Sequence, residues 1–354
     1  MSETVQRAPV TGGQQGPGTN DVLRRLRTAG TFLIQRREAT VALVVILLIV
    51  YFGVISSAGR SVFFTHIDLV NVSVIAAPIM IVAYGEVLLL ICGEIDLSVG
   101  FVYAFAPYMM HYLIDYYHVP GILGIVLAIL IVGAGVGWIN AFLTVGLRLP
   151  SFIATLGTGF VLAGLTLTFA HGEQASIPPS VLGYGRWLGS SETFVQIIWA
   201  VILLALLHTL LRNTRWGLHT IAVGGNLLGA REAGVNVARI KYGNFMITGV
   251  LGAFAGIQIS FQTGVIDTFA GGAAYQPMFY AVAACVIGGT AMLGGTGTMI
   301  GAFLGGAVLA ILIDGFQVTG VSAFPLEIYF GGAILIAMIA NVQLARLRGQ
   351  GRAR

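Results

Sequence analysis

Long apolar runs separated by short polar or glycine-rich stretches dominate this chain from about residue 39 onward. A bilayer span needs about 20 mainly apolar residues at 1.5 Å rise each, and about ten runs meet that length. They cover approximately 39–57, 69–91, 97–114, 121–145, 150–170, 193–211, 242–262, 277–293, 298–316 and 324–341. The pattern predicts an all-α integral membrane protein of about ten transmembrane helices. Composition agrees: 57% of the residues are hydrophobic, 9% are charged and the mean hydropathy is +0.90, against roughly 25% charged residues in soluble domains.

The few charges set an orientation. With ten spans and a cytoplasmic amino terminus, all of the 18 lysines and arginines except Arg60 and Arg186 fall on the cytoplasmic side. That asymmetry follows the positive-inside rule, which the opposite orientation would violate at almost every short loop. Both termini are basic, so both are expected inside. The formal net charge of +4 then describes a membrane topology and gives no reason to invoke nucleic acid. The expected organisation is a cytoplasmic tail over 1–38, partly disordered and then basic beside the membrane, a transmembrane domain over 39–345, and a basic cytoplasmic tail over 346–354. The first tail is too long and too polar to read as a cleavable signal peptide. The largest external loop is expected over 171–192 and the largest internal one over 212–241.

Cys92 and Cys285 belong to no C-x-x-C or Cys/His cluster, so neither a disulfide nor a metal site is indicated. Lys241 is the single lysine and no glycine-rich loop precedes it, which excludes a Walker A nucleotide site. No H-E-x-x-H or G-x-S-x-G motif occurs either. These absences assign no catalytic residue, metal or cofactor, and any ATP that powers the chain must be hydrolysed by another subunit.

Two stretches interrupt the apolar pattern where helices should break. Around 93–98, "GEIDLS" follows a long apolar run; around 288–297, "GGTAMLGGTG" does the same. A break at membrane depth leaves orphan N–H groups, and Asp96 can satisfy one by accepting from Ser98 or Val99. Ser98 would then sit in the first turn of the next helix. Glycines at 297, 301 and 305 form G-x-x-x-G pairs, a spacing that brings helices together. Within the internal loop, Asn226 suits a helix N-cap, "LLGARE" suits two turns, and Gly234 suits a left-handed C-cap. Leu227 and Leu228 beside Arg231 and Glu232 fit either docking into a partner's groove or an amphipathic turn lying on the membrane.

The loop "NTRWGLHTIAVGGNLLGAREAGVNVARIK" resembles the cytoplasmic coupling loop of permease subunits of simple-sugar ABC importers, the ribose, xylose, galactose and arabinose type. Three further stretches resemble that family in the same order: "GEIDLSVG" (93–100), "GWINAFLTVGLRLPSFIATLGT" (137–158) and "VIGGTAMLGGTGTMIGAFLGG" (286–306). The resemblance covers nearly the whole chain after residue 65. This chain departs from the family's commonest G-G-I-D-L-S-V-G by carrying Glu94 in place of the second glycine, and it adds Glu86.

The resemblance implies a bacterial plasma (inner) membrane protein that pairs with a second permease copy, identical or related. It implies docking on a cytoplasmic ABC ATPase, which binds ATP and Mg, and sugar delivery by an extracytoplasmic binding protein. Carried over to this chain, the coupling positions are Gly225, Asn226, Ala230, Arg231, Glu232 and Gly234. Candidate translocation-path residues are Glu86, Glu94, Asp96, Ser98, Phe152 and Thr155. An intramembrane acid costs roughly 2.5–3.5 kcal/mol on insertion scales, so Glu86 is read either as lining the sugar path or as a structural acid bonded to a neighbouring helix. Asp96 is read as a cap or a substrate contact. Phe152 and Thr155, three residues apart, would share one helix face suited to a sugar's apolar face and hydroxyls, or simply pack there. The rival from another class is a proton-coupled secondary transporter using Glu86 or Glu94 as its titrating acid.

Overall fold

The computed structural model describes residues 37–56, 61–268 and 275–320, with a few helical positions between 328 and 343. Its helices are α1 (Arg37–Val50, extended by a π turn to Ile55), α2 (His66–Ile91), α3 (Val99–His111, extended by a π turn to Tyr116) and α4 (Gly121–Gly146, with two internal π turns). There follow α5 (Ser151–Ala170), α6 (Val195–Asn213), α7 (Arg215–Gly225), α8 (Leu227–Glu232), α9 (Val237–Thr263), α10 (Tyr275–Ile287) and α11 (Met299–Val318). A two-residue antiparallel pair joins β1 (Ala175–Ser176) to β2 (Val265–Ile266).

Seven of the described helices, α1, α2, α4, α5, α6, α9 and α11, are long and apolar enough to cross a membrane. With α3 and the shorter apolar α10, nine of the ten predicted segments are helical. The tenth, 324–341, falls largely outside the described residues, as do the predicted tails.

Burial sorts the helices into a centre and a rim. The apolar stretch of α2 is 83% buried and that of α9 is 72% buried, against 17% for α1 and 22% for α6. The rim helices expose Leu43, Ile46 and Leu47 on α1 and Ile198, Ile202 and Leu206 on α6, where lipid tails supply the apolar surroundings. At the centre small residues let backbones touch. A Cβ on Gly249 of α9 would stand 2.0 Å from the Gly133 carbonyl oxygen of α4, and one on Gly256 would stand 1.9 Å from the Tyr103 carbonyl oxygen of α3. Gly301 and Gly305 of α11 press in the same way on Gly288 and on Ala284 of α10, as their spacing predicts.

The bundle has two distinct ends. At one, α7, α8 and the start of α9 gather on the end of α2. At the other, the β pair closes the end of α9, and two buried acids that the sequence reading did not single out, Asp68 of α2 and Asp314 of α11, lie close to each other.

A Cβ on Gly224 would lie 1.5 Å from the Ile91 carbonyl oxygen, whereas one on Gly225 meets nothing within 4 Å. Gly224→Ala should therefore lower folded yield and melting temperature through overpacking worth about 1–3 kcal/mol or more, while Gly225→Ala stays close to wild type. Thermal-shift curves of the purified protein check this, and equal behaviour of the two variants counts against the packing.

Candidate functional site

Between Ile91 and Val99 the helical ladder stops, and every backbone N–H there still finds a partner. Those of Cys92, Gly93 and Glu94 fold back on the carbonyls of Leu88, Leu90 and Leu89, with Gly93 at φ +75. The next four go to side chains. Ile95 N–H donates to Ser151 Oγ at 3.3 Å, Asp96 to Glu86 Oε2 at 3.4 Å, Leu97 to Thr155 Oγ1 at 3.0 Å and Ser98 to Asp96 Oδ1 at 2.8 Å. Left unpaired in a low-dielectric interior, each would cost several kcal/mol. Three of the acceptors come from neighbouring positions on α2 and α5, so the break is shaped by the helices that flank it.

Asp96 is the hub. Its Oδ1 also accepts from Ser98 Oγ at 2.6 Å, and both of its oxygens accept from Asn140 Nδ2 at 3.2 Å. Thr158 Oγ1 in turn donates to Asn140 Oδ1 at 2.6 Å, which fixes the amide's orientation. Asp96, Ser98, Asn140 and Thr155 are all 0% exposed. Asp96 thus accepts the Ser98 N–H as the capping reading requires, but Ser98, placed in the first turn by that reading, occupies the N-cap position just ahead of α3.

Glu86 is 0% exposed and turns its Oε2 to the Asp96 N–H, bonding the break that follows its own helix. One other expectation needs correction. Phe152 and Thr155 do not share surroundings: Thr155 is 0% exposed, while Phe152 is 52% exposed. Residues three apart stand about 60° from each other around a helix, and the edge of the buried stripe of α5 passes between them. Glu94, which the residues alone left without a role, forms an ion pair with Lys241 on α9. Ser151, Asn140, Thr158 and Lys241 were missed. A signal existed for two of them: Asn140 is a polar amide inside an apolar run, and Lys241 is the chain's single lysine.

The second break runs from the end of α10 to Thr298, whose Oγ1 caps α11 by accepting the Gly301 N–H at 3.0 Å. Gly289, Gly294 and Gly295 adopt positive φ, and Gly295 donates its N–H to the Ile91 carbonyl at 2.8 Å. The two breaks are therefore bonded to each other at the end of α2, on the spot where Gly224 of α7 also packs.

From that junction α8 projects. Asn226 Oδ1 accepts the Gly229 N–H at 2.9 Å, and Gly234 at φ +79 ends the helix with the Val235 N–H on the Ala230 carbonyl, a Schellman closure. Ala230 is buried among Cys92, Val223, Val237 and Ile240, whereas Leu228, Arg231 and Glu232 are exposed. Gly225 lies at the end of α7. Among the described residues no group of three or more His, Cys, Asp or Glu is placed to hold a metal. Asp96 is fully engaged with backbone and side-chain donors, whereas Glu86 keeps Oε1 buried without a hydrogen-bond partner.

A buried, glycine-packed helix bundle with broken helices and an exposed capped turn at one end is the architecture of a multi-pass transporter subunit in the plasma (inner) membrane. Residues 68–341 match the family described as branched-chain amino acid transport system / permease component, and the chain belongs to that family. It is 32% identical over 285 residues to the xylose/arabinose import permease protein XylH of Sulfolobus acidocaldarius, covering 78% of this chain and 77% of that one. It is 34% identical over 279 residues to the autoinducer 2 import system permease protein LsrC of Salmonella typhi, covering 77% and 76%. The LsrC protein of Yersinia pseudotuberculosis is 33% identical over 281 residues, covering 78% and 77%. No solved structure matches the chain.

Asp96→Ala removes the acceptor of three donors and should lower the melting temperature clearly, each stranded buried donor costing about 1–3 kcal/mol. Asp96→Asn keeps one acceptor oxygen but turns an amide donor toward Asn140, so its loss should be intermediate; equal melting temperatures for the two variants would contradict this bonding scheme. Removing either Glu94 or Lys241 alone strands a mostly buried charge. A double-mutant cycle over Glu94→Ala and Lys241→Ala should return a coupling of about 1 kcal/mol or more, and additive effects would rule the ion pair out.

Proposed function

We propose that this chain is the membrane-spanning permease of an ATP-binding-cassette importer that moves a monosaccharide or polyol from an extracytoplasmic binding protein into the cytoplasm. The observation that carries the reading is α8: a short exposed helix, capped at both ends, whose two flanks are each tied to the first helix break. On one flank Gly224 packs on the Ile91 carbonyl. On the other, Lys241 holds Glu94. A displacement of α8 by a cytoplasmic ATPase is thereby passed to the end of α2 and to the break that follows it. In this reading α8 is the coupling helix, with Gly225, Asn226, Ala230, Arg231, Glu232 and Gly234 shaping and presenting it.

The chain itself is non-catalytic: ATP and Mg are bound by the ATPase, and a second permease copy completes the path across the lipid bilayer. Sugar as cargo is supported by the likeness to the xylose/arabinose import permease protein XylH. The proton-coupled alternative loses support from the geometry, because Glu94 is paired with Lys241 and Glu86 is buried on the Asp96 N–H.

Replacing Arg231 and Glu232 together by Ala should abolish ATPase co-purification and ATP-driven pentose uptake in proteoliposomes, with membrane insertion and melting temperature unchanged. Retained co-purification would remove α8 from the coupling role. Uptake by the permease alone under a pH gradient, with neither ATPase nor binding protein, would overturn the importer reading.

A further inference from the structure

The end of the bundle opposite α8 holds a hollow that the coupling argument does not use. It has a volume of about 370 Å³ and lies between the π turn that extends α3, the end of α5 and the segment leading into β1. The 27-residue α9 runs from the α8 end to this one, a distance of about 40 Å at 1.5 Å per residue. In the orientation predicted from the basic residues, the hollow opens on the extracytoplasmic side.

Its walls combine flat rings with hydrogen-bonding groups. Tyr112 and Phe169 meet edge to face with ring centroids 5.0 Å apart, and Tyr116 lies 6.1 Å from Tyr112 with its ring 70% exposed. His111 and Asp115 pair at 3.0 Å on the same rim, and Glu173 adds a second carboxylate. The walls are tied together by hydrogen bonds of their own. Tyr108 Oη donates to the Glu173 carbonyl at 2.8 Å and lies 3.1 Å from the Ile266 carbonyl, while Tyr112 Oη donates to the Phe169 carbonyl at 3.2 Å. Preformed walls lower the ordering cost of binding.

We propose that this hollow is a binding site at which one monosaccharide pauses before entering the permease; the proposal rests on the sugar-importer reading above. A sugar ring offers an apolar C–H face to stack on an exposed aromatic ring and a rim of hydroxyls that donate to carboxylates and imidazole. Tyr116 is the platform, and Asp115, His111 and Glu173 take the hydroxyls. The volume lies at the low end of the ~300–1,000 Å³ typical of small-molecule sites, which fits one monosaccharide. A metal ion is not the ligand this wall suits, because among the described residues no group of three or more His, Cys, Asp or Glu is placed to hold one.

The test pairs two measurements on the full chain with D-xylose, L-arabinose and D-ribose as probes. Uptake by the reconstituted permease, ATPase and binding protein establishes which of them is carried. Saturation-transfer NMR on the permease alone in lipid nanodiscs then reads direct contact with the same sugar. The expected result is saturation of the ring protons of a transported sugar, reduced at least fivefold by Tyr116→Ala and unchanged by Tyr117→Ala, an exposed neighbour outside the hollow. A sugar that is transported yet shows no saturation, or shows it equally in both variants, overturns the site and leaves the importer reading standing. If none of the three is transported, the sugar-importer reading falls, and the site that rests on it falls with it.

Discussion

A backbone N–H inside a bilayer has no water to turn to, and the residues between α2 and α3 break the ladder that would otherwise serve them. Four consecutive N–H groups, from Ile95 to Ser98, are instead held by Ser151, Glu86, Thr155 and Asp96. That requirement explains why so apolar a chain keeps polar side chains at its centre. It also ties two helices to the break, because the acceptors sit on α2, on α5 and in the break itself. Asn140 and Thr158 extend the same network to α4 and further along α5. The polar centre is therefore what sets the relative position of the spans around it, and the glycine contacts between α9, α3 and α4 then let the backbones close to within touching distance.

The mechanical consequence lies at the end of α2. Its last carbonyl, on Ile91, accepts from Gly295 of the second break and is overlaid by Gly224 of α7. One residue's backbone thus joins both breaks to the helix that leads into α8. Glu94, three residues on, is anchored by Lys241 from the far side of α8. A force applied to α8 has short, stiff routes to the broken segments, whereas the rim helices, mostly facing lipid, contribute span and little else. Buried acids that would suggest proton chemistry in isolation are engaged in holding this junction together.

Much of this was legible without coordinates, because the bilayer imposes its constraint locally. About 20 apolar residues must cross, charges must stay in loops on the proper side, and a helix end needs a capping side chain nearby in sequence. Hence most run boundaries matched helices within a few residues, though the run 277–293 passes the end of α10 at Ile287, and Asn226 and Gly234 were recognisable as the two caps of α8. The acids were another matter. Glu86 and Glu94 looked alike in sequence, yet one bonds a backbone N–H ten residues on and the other a lysine 147 positions away. Phe152 and Thr155 looked like a pair, but they fall on either side of a burial edge that only neighbouring helices define.

By itself, then, the sequence determined the class of fold, the position of both breaks and the capped turn between α7 and α9, since each depends on residues close together in the chain. The tertiary structure decided which side chain satisfies which N–H, that Lys241 answers Glu94, that Ile91 ties the breaks together, and that Tyr112, Tyr116 and Phe169 meet around a hollow. Those are contacts between segments far apart in sequence, and their partners are chosen by how helices pack, a quantity no local pattern carries.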